Sequence, residues 1–495
     1  MRERLWKKRF RPLSNSSRKQ IALLALLSAI RLTSWQFFTQ AAGPLGSDPA
    51  LWGLTAYDLE AGIEPWAMPL YPWLMTLWPG GVLQGGLVLS WLASWALPIA
   101  VWWAIVPFGK KQAAWAGLGT LLLPDGMIMA FQLQPDALTS LWAVLLAGAL
   151  LRNQWSLIAP LALIGLFLRE HGLPVFLLVG LLSLLTQKRR IARTALLFGV
   201  ALSLPMVFGG DVGIEQPWSS RSEQAFSLLT TQERPPHLNA EEWRIFREKG
   251  VAGRALSHSQ RSLELSPDLW SLAFVAGSLL IWSRRRDLLR ASVVLWPIGV
   301  TLLLWSERRH VAVVGPTLLV LIALGSQHRT KFPLMIQRLL GIVFSLALLG
   351  GLTRLPHEAE EQKNRMIKLN DTKRVAEILC KRAESHELIF ALEQLFPLFC
   401  PRIQLSDPKH PLAAKSWLIA PPESIAEPWI AQEKIDSKFW FYRLDPTIRD
   451  ILCPPKEPHL SRHLLATGPT PHPAFQHVPM AGHPKVPLSS PEICP

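Results

Sequence analysis

The sequence predicts an α-helical polytopic membrane protein of about eleven transmembrane helices, with a small extracytoplasmic α/β domain near the C-terminus. Three observations support this class. The chain of 495 residues is 49% hydrophobic and only 18% charged. Its apolar residues form repeated runs of roughly 17–25 residues, the length that an α-helix needs to cross a bilayer. Its Lys and Arg residues form short clusters between these runs, which is typical of cytoplasmic loops.

The formal net charge of +15 would indicate nucleic-acid binding in a soluble protein. Here the basic clusters separate apolar runs, so we interpret them as topology determinants and predict no nucleic-acid partner. The strongly basic start could open a signal peptide, and Ala41-Ala42-Gly43 is a weak match to a cleavage site. We favour an uncleaved first span, because many further spans follow it.

The predicted topology places the N-terminus inside, so that nearly every basic cluster also lies inside. The predicted spans are approximately residues 21–38, 81–106, 113–131, 136–151, 155–168, 172–185, 194–209, 269–282, 291–305, 311–324 and 339–352. The predicted domains are a cytoplasmic tail (1–20), a transmembrane domain (21–353) with outer loops 39–80 and 211–267, an extracytoplasmic α/β domain (354–453) and a Pro/His-rich tail (454–495).

The segment after the last predicted span shows alternating helical and strand patterns. Residues 371–384 have a helical apolar face, and residues 388–392, 417–420 and 439–442 are short strand-like runs. All four cysteines lie in this segment (Cys380, Cys400, Cys453 and Cys494). An even number of cysteines confined to the outer side fits an oxidising compartment and disulfides, although four unpaired thiols remain the alternative.

Charged and polar residues of both signs gather at the outer ends of the predicted spans. They are Asp48, Asp136, Arg169, Glu170, His171, Glu307, Arg308, Arg309 and His310, with Tyr71 in the short interfacial helix predicted for residues 69–78. Carboxylates can accept a proton from a nucleophile, and guanidinium groups bind phosphate oxygens in bidentate fashion. The arrangement therefore suggests a site for an anionic, lipid-linked substrate.

Three of the charged residues have structural explanations that stay open. Asp48 precedes Pro49 and a predicted helix over residues 50–62, so it is also a natural N-cap. Asp136 follows a proline and opens a span, so it could equally cap that helix. Arg31 lies inside the first span and must face the bundle, either in a structural ion pair or as a phosphate contact.

Four segments together resemble the GT-C superfamily of integral-membrane glycosyltransferases, which includes the protein O-mannosyltransferases and the lipid A aminoarabinose transferase. SDPALWGLTAYDLEAG, which starts at Ser47, and the following Pro69-Leu70-Tyr71-Pro72 resemble the first outer loop of that superfamily. Residues 134–138 are similar to its second outer loop, residues 165–173 to a later outer turn with a basic residue, and residues 307–316 to a late outer-loop motif.

The resemblance implies a glycosyltransferase that uses a polyprenyl-phosphate sugar, with Asp48 and Asp136 as catalytic carboxylates. Many members carry two adjacent acidic residues in the first loop, whereas Pro49 follows Asp48 here. We therefore expect a metal-free mechanism without a cofactor. The expected partners are the bilayer, the lipid-linked sugar and a glycan, lipid or protein acceptor, in a bacterial inner membrane with the outer loops in the periplasm.

Two further function classes compete with the enzyme. A non-catalytic membrane scaffold subunit or lipid-sugar carrier could retain the same architecture, and the absent second carboxylate fits it. A transporter is weaker, because no pair of spans shows an internal repeat or paired broken helices.

The predicted topology can be tested by labelling cysteines. After reduction of intact cells, a membrane-impermeant thiol reagent is expected to label Cys380 and Cys453, because both lie in the segment assigned to the outer side. Labelling that occurs only after permeabilisation would reverse the assigned orientation.

Overall fold

The computed structural model describes residues 14–45, 47–60, 68–169, 172–185, 240–283, 308–327 and 333–382, together with five strands between residues 388 and 444 and a few isolated positions. Every structural statement below concerns these residues. The predicted span 194–209, most of the predicted span 291–305 and the predicted Pro/His-rich tail lie outside them.

The first part of the chain is a succession of helices joined by short turns. They are α1 (Asn15–Thr39), α2 (Ser47–Glu60), α3 (Leu70–Thr76), α4 (Val82–Ile105), α5 (Lys110–Leu121), α6 (Asp125–Ile128), α7 (Asp136–Leu151), α8 (Trp155–Leu168) and α9 (Gly172–Leu185). The bounds of α7, α8 and α9 coincide with three predicted spans.

The later helices follow from residue 240 onward and form the second part of the described bundle. They are α10 (Ala240–Leu265), α11 (Pro267–Ser283), α12 (Arg308–Ala312), α13 (Gly315–Gly325), α14 (Leu334–Thr353) and α15 (Leu355–Arg382). α10 covers the second half of the segment 211–267, which was predicted only as a polar outer loop. It is kinked at Gly250, whose φ is +63°.

Several helices have the length and composition of membrane spans. Within the described residues, Asn15–Thr39, Val82–Ile105 and the segment Leu334–Ile378 are long and apolar enough to cross a membrane. Two bent pairs, Lys110–Leu121 with Asp125–Phe131 and Ser259–Leu265 with Pro267–Ile281, bring this number from three to five if each pair forms one span. The protein is therefore a multi-pass membrane protein, while the count of eleven spans stays a prediction.

α4 lies at the centre of the bundle and packs against α1, α5, α7 and α13. Its contact with α7 is close because Gly148 faces it. A Cβ atom at Gly148 would lie 2.6 Å from the ring of Trp103 and 2.9 Å from the Cβ of Ala104. Small residues at such positions let two apolar helices approach until their backbones nearly touch. The van der Waals contacts made at this distance are a main source of attraction between helices in lipid.

The third predicted span, residues 113–131, is not one helix. α5 ends at Leu121, and α6 with the following 3-10 turn Met129–Phe131 continues at an angle of 63°. Pro124 causes this break, since it has no N–H for the carbonyl of Thr120 and its ring clashes with a continuing helix. The predicted span is therefore a bent pair of helices and not one continuous helix.

Two other boundaries differ from the predictions. The predicted span 311–324 is split into α12 and α13, because Pro316 lacks the N–H that would bond the carbonyl of Ala312. The predicted helix 371–384 is the end of a much longer helix, α15. In addition, α2 begins at Ser47, so Asp48 lies in its first turn rather than at the N-cap.

Five strands follow α15 in the order β2-β1-β3-β5-β4. They are β1 (Leu388–Ala391), β2 (Ile403–Leu405), β3 (Ser416–Ala420), β4 (Trp429–Lys434) and β5 (Trp440–Leu444). β1 pairs in parallel with β2 and β3, whereas β5 is antiparallel to β3 and β4. The three predicted strand-like runs overlap β1, β3 and β5, and the boundaries of a separate C-terminal domain stay a prediction.

A substitution at Gly172, the first residue of α9, tests how closely α8 and α9 must approach. The amide of Gly172 donates to the carbonyl of Arg169 at 2.8 Å, and a Cβ at Gly172 would overlap the backbone of Gly165. Gly172→Ala is expected to lower the free energy of unfolding by about 1–3 kcal/mol, because the two helices must move apart. Thermal unfolding in detergent measures it.

The matched control is Gly341→Ala in α14, where a Cβ would meet no atom within 4 Å. This variant is expected to unfold at the wild-type temperature or slightly above it. Equal unfolding temperatures for both variants would contradict the close approach of α8 and α9.

Candidate functional site

The first and second outer loops are joined by a short backbone bridge. The amide of Gly43 donates to the carbonyl of Phe131 at 3.1 Å, and the amide of Leu133 donates to the carbonyl of Gly43 at 3.3 Å. Gly43 has a φ of +146°, and a Cβ there would lie 3.0 Å from the side chain of Leu369. The bridge therefore holds the segment that leads to Asp48 beside the segment that leads to Asp136.

Asp136 forms a buried salt bridge with Arg169. Its Oδ1 accepts a hydrogen bond from Nη1 of Arg169, and the two side chains are 0% and 7% exposed. Asp136 opens α7, where the helix dipole favours a negative charge, and Arg169 follows the end of α8. Within the described residues, the second oxygen of Asp136, Oδ2, is buried and accepts no hydrogen bond. This oxygen can accept one further hydrogen bond.

Tyr71 connects this salt bridge to the first outer loop. Its hydroxyl donates to the carbonyl of Gly86 at 3.0 Å and lies 3.0 Å from Oγ of Ser90, which donates in turn to the carbonyl of Gln134 at 3.2 Å. Its ring stacks edge-on against Trp52 of α2, with centroids 6.0 Å apart. Burial raises the pKa of the Tyr71 hydroxyl; the hydrogen bond with Ser90 lowers it, and the charge of Asp136 raises it.

A second charged cluster lies where α6, α11, α12 and α14 meet. Arg308 donates through Nε and Nη2 to both oxygens of Asp125, at 2.9 Å each. It also donates through Nη1 and Nη2 to the oxygens of Asp268, at 2.7 and 2.8 Å. Arg354 lies 3.9 Å from Asp268 and donates to the carbonyl of Leu265 at 2.6 Å. Two carboxylates and two guanidinium groups thus balance each other's charge.

For Arg308, the hydrogen bonds and charges of its two carboxylate partners outweigh the cost of burial. Burial by itself lowers the pKa of Arg308, but the hydrogen bonds and charges of Asp268 and Asp125 raise that pKa above its ordinary value. Arg308 is therefore a permanently charged residue that clamps α6 and α11 together.

Arg31 supports the same region from α1. Its Nη1 donates to the carbonyl of Thr120 at 3.4 Å, and its Nη2 donates to the carbonyl of Leu123. These carbonyls are exposed by the break at Pro124, and a basic side chain at a helix C-terminus satisfies them. The sequence analysis expected an anionic partner for Arg31, whereas the hydrogen-bond partners in the structure are backbone carbonyls.

A small cavity separates the two charged clusters. Its lining includes Ser94 of α4, Thr120 of α5, Asp125 of α6 and Ser140 of α7. Ala312 and Pro316 close it from the side of α12 and α13. Asp125 thus borders the cavity from the Arg308 cluster, and the first two turns of α7, which Asp136 opens, border it from the other side.

The structure brings some of the predicted site residues together and leaves others undescribed. Arg31, Tyr71, Asp136, Arg169 and Arg308 are placed by the contacts above. Arg309 lies in α12 and is partly exposed. The backbones of Asp48 and His310 lie in α2 and α12, but their side chains fall outside the description, as do Glu170, His171 and Glu307 entirely.

The sequence analysis missed Asp125, Asp268 and Arg354. The signal for the two carboxylates was present, since each directly follows a proline within or beside an apolar run. Among the described residues, no group of three His, Cys, Asp or Glu side chains is arranged to hold a metal ion. The metal-free mechanism stays a prediction.

Comparison with known proteins identifies the fold. No protein-family model matches the sequence, and no curated protein matches it. The structure is similar to ArnT from Cupriavidus metallidurans bound to undecaprenyl phosphate, with a TM-score of 0.50, 12% identity and coverage of 85% of this chain and 98% of that one. The chain has the GT-C fold. This confirms the resemblance that the four sequence segments predicted.

Two further solved structures are similar to a lesser degree. ArnT in the apo state gives a TM-score of 0.49 at 13% identity, with 85% of this chain and 97% of that chain covered. The Archaeoglobus fulgidus oligosaccharyltransferase in its apo form gives 0.45 at 12% identity, with 79% and 65% covered. At these identities the comparisons concern the fold alone.

The clamp formed by Arg308 gives a prediction for stability. Arg308→Met leaves two buried carboxylates without their main partner, so the free energy of unfolding is expected to fall by about 3–5 kcal/mol. Chemical or thermal unfolding of the purified protein measures this loss.

Arg244→Met is the control, because Arg244 is 65% exposed and its one ion pair is on the surface of α10. Its effect is expected to stay below about 1 kcal/mol. An Arg308→Met variant as stable as this control would show that the cluster does not hold the helices together.

Proposed function

We propose that this protein is an integral-membrane glycosyltransferase that moves a sugar from a polyprenyl-phosphate donor to an acceptor at the outer face of the membrane. The observation that carries the proposal is the buried Asp136–Arg169 pair, held beside the segment that bears Asp48 in a chain with the GT-C fold. The outer face would be the periplasmic side of a bacterial inner membrane.

The proposed donor is a lipid-linked sugar. ArnT has been solved with undecaprenyl phosphate, and the same class of lipid would reach this site laterally from the bilayer. Its phosphate needs guanidinium groups near the outer face. Arg308 is engaged by two carboxylates, so we assign it the role of fixing α12, which carries its neighbour Arg309. The partly exposed Arg309 is the main proposed phosphate contact, and Arg169, which donates through Nη1 to the one carboxylate of Asp136, is the second.

The proposed reaction is a single displacement at the anomeric carbon. Asp48 takes the proton from an acceptor hydroxyl or amine, whose lone pair forms the new bond to that carbon. The bond between the anomeric carbon and the phosphate oxygen breaks, and its electron pair leaves with the polyprenyl phosphate. Arginines aimed at this oxygen stabilise the negative charge that develops there. Asp136 orients the acceptor through Oδ2.

The alternative is a non-catalytic scaffold subunit or lipid-sugar carrier with the same fold. It gains support from the way in which the buried charges satisfy each other. Asp136 is paired with Arg169, and Arg308 is shared by Asp125 and Asp268. Such closed pairs also occur in purely structural cores. An assay of transfer separates the two functions.

Asp48→Asn is the decisive variant. It preserves the size of the side chain and its ability to begin a helix, but it removes the proton acceptor. Transfer of sugar from a polyprenyl-phosphate donor by the purified protein is expected to fall by at least about 10²-fold, with unchanged unfolding temperature. Glu60→Gln, at the exposed end of the same helix, is the matched control and is expected to retain wild-type transfer.

Two outcomes would contradict the proposal at different points. Wild-type transfer by Asp48→Asn would eliminate Asp48 as the base while leaving the enzyme class intact. Absence of transfer by the wild type across a broad panel of donors and acceptors would favour the scaffold or carrier.

A further inference from the structure

α15, the helix that follows the last apolar helix, presents a stripe of buried and partly buried residues to the outer part of the bundle. Its members are Leu355, Ala359, Gln362, Met366 and Leu369, which recur in steps of three or four residues and so share one face. All except Gln362 are apolar. The neighbouring positions Lys363, Asn364 and Arg365 are exposed.

The two ends of this stripe pack against different parts of the site. Leu355 and Ala359 contact a cluster contributed by α1 and the segment around α6 (Leu32, Trp35, Met127, Ala130 and Phe131). Met366 and Leu369 contact a cluster contributed by the first outer loop and α2 (Ala41, Leu45, Ala50, Leu51 and Leu54). One helix therefore supports both of the segments that meet at the Gly43 bridge.

Gln362 lies at the point where the stripe passes from one cluster to the other. It is 2% exposed, its Oε1 accepts a hydrogen bond from the indole Nε1 of Trp35 at 3.0 Å, and its Nε2 donates to the carbonyl of Ile128 at 3.4 Å. A leucine would fill the same space in an apolar stripe. A buried polar residue with two specific partners instead fixes the register of one helix against its neighbours.

We propose that Gln362 is a positioning residue for the glycosyl-transfer site. Gln362 hydrogen-bonds both α1 and the segment around α6, and so fixes the position of α15 along its axis. Leu369 of α15 packs beside Gly43, so this position also determines where the first outer loop lies. Asp48 follows Gly43 in that loop, and Asp136 follows the bridge partner Gln132. The inference rests on the proposed function for its catalytic consequence, but its structural part stands without that function.

The structural part is tested by hydrogen exchange of the full-length protein in lipid nanodiscs. In Gln362→Leu, the amides of residues 41–60 are expected to exchange about five- to tenfold faster than in the wild type, because the loop loses its support from α15. Asn364→Leu, an amide-to-leucine change on the exposed face of the same helix, is expected to exchange as the wild type does. Unchanged exchange in Gln362→Leu would overturn the proposal.

A double variant separates positioning from stability. Trp35→Phe with Gln362→Leu removes the indole N–H that the single variant leaves unpaired, so the unfolding temperature is expected to return towards the wild-type value. If Gln362 positions the loop, exchange over residues 41–60 stays fast in the double variant. If exchange returns to normal together with the unfolding temperature, Gln362 has a structural role only and the proposal fails.

The catalytic consequence has its own measurement. In both Gln362→Leu and the double variant, kcat for sugar transfer is expected to fall on the order of 10²-fold with an unchanged KM for the donor, because a displacement of about 1 Å in the reacting groups has this effect. A wild-type kcat in the double variant would overturn the positioning role. A wild type that transfers no sugar would refute the proposed function, and the exchange data would still decide whether Gln362 holds the loop.

Discussion

The break in the third apolar run at Pro124 is the constraint on which the described outer half of the bundle depends. A backbone that leaves helical geometry at membrane depth must have its carbonyl groups satisfied by protein. Arg31 from α1 satisfies two of them, those of Thr120 and Leu123. The break also turns Asp125 towards Arg308, and this bidentate pair joins α6 to α12, while Asp268 adds α11. The contacts of Arg31 and Asp125 therefore depend on the break.

The candidate site is built from charged side chains that already pair with one another. Asp136 and Asp268 lie in first helical turns, where the helix dipole favours a negative charge, and arginines from distant parts of the chain complete the pairs. Groups fixed in this way need no reorganisation when charge develops during a reaction, which is the basis of electrostatic preorganisation. The same pairing engages Arg308 with two carboxylates, so its guanidinium group anchors α12 to α6 and α11.

Much of this fold follows from local patterns, whereas the pairings do not. The bounds of α7, α8 and α9 were predicted correctly because each apolar run is bordered by Pro-Asp, Arg-Asn or Arg-Glu-His. Arg169 and Asp136 were predicted as site residues, but nothing local indicates that they bond each other. Asp125 and Arg308 are separated by 183 positions, so only the packed bundle brings them together. Gln362 carries no sequence signal beyond its place in an apolar stripe, whose helix was predicted only from residue 371 onward.

Electron cryomicroscopy of the full chain in nanodiscs containing undecaprenyl phosphate tests most directly whether Asp48, Asp136 and the outer arginines belong to one site for a lipid phosphate. The phosphate is expected at the outer face, within hydrogen-bonding distance of Arg169 or Arg309 and facing the first turn of α2. A phosphate bound at the inner ends of the helices, beside Lys110 or Arg152, or Asp48 and Asp136 facing opposite sides of the bundle, would contradict it.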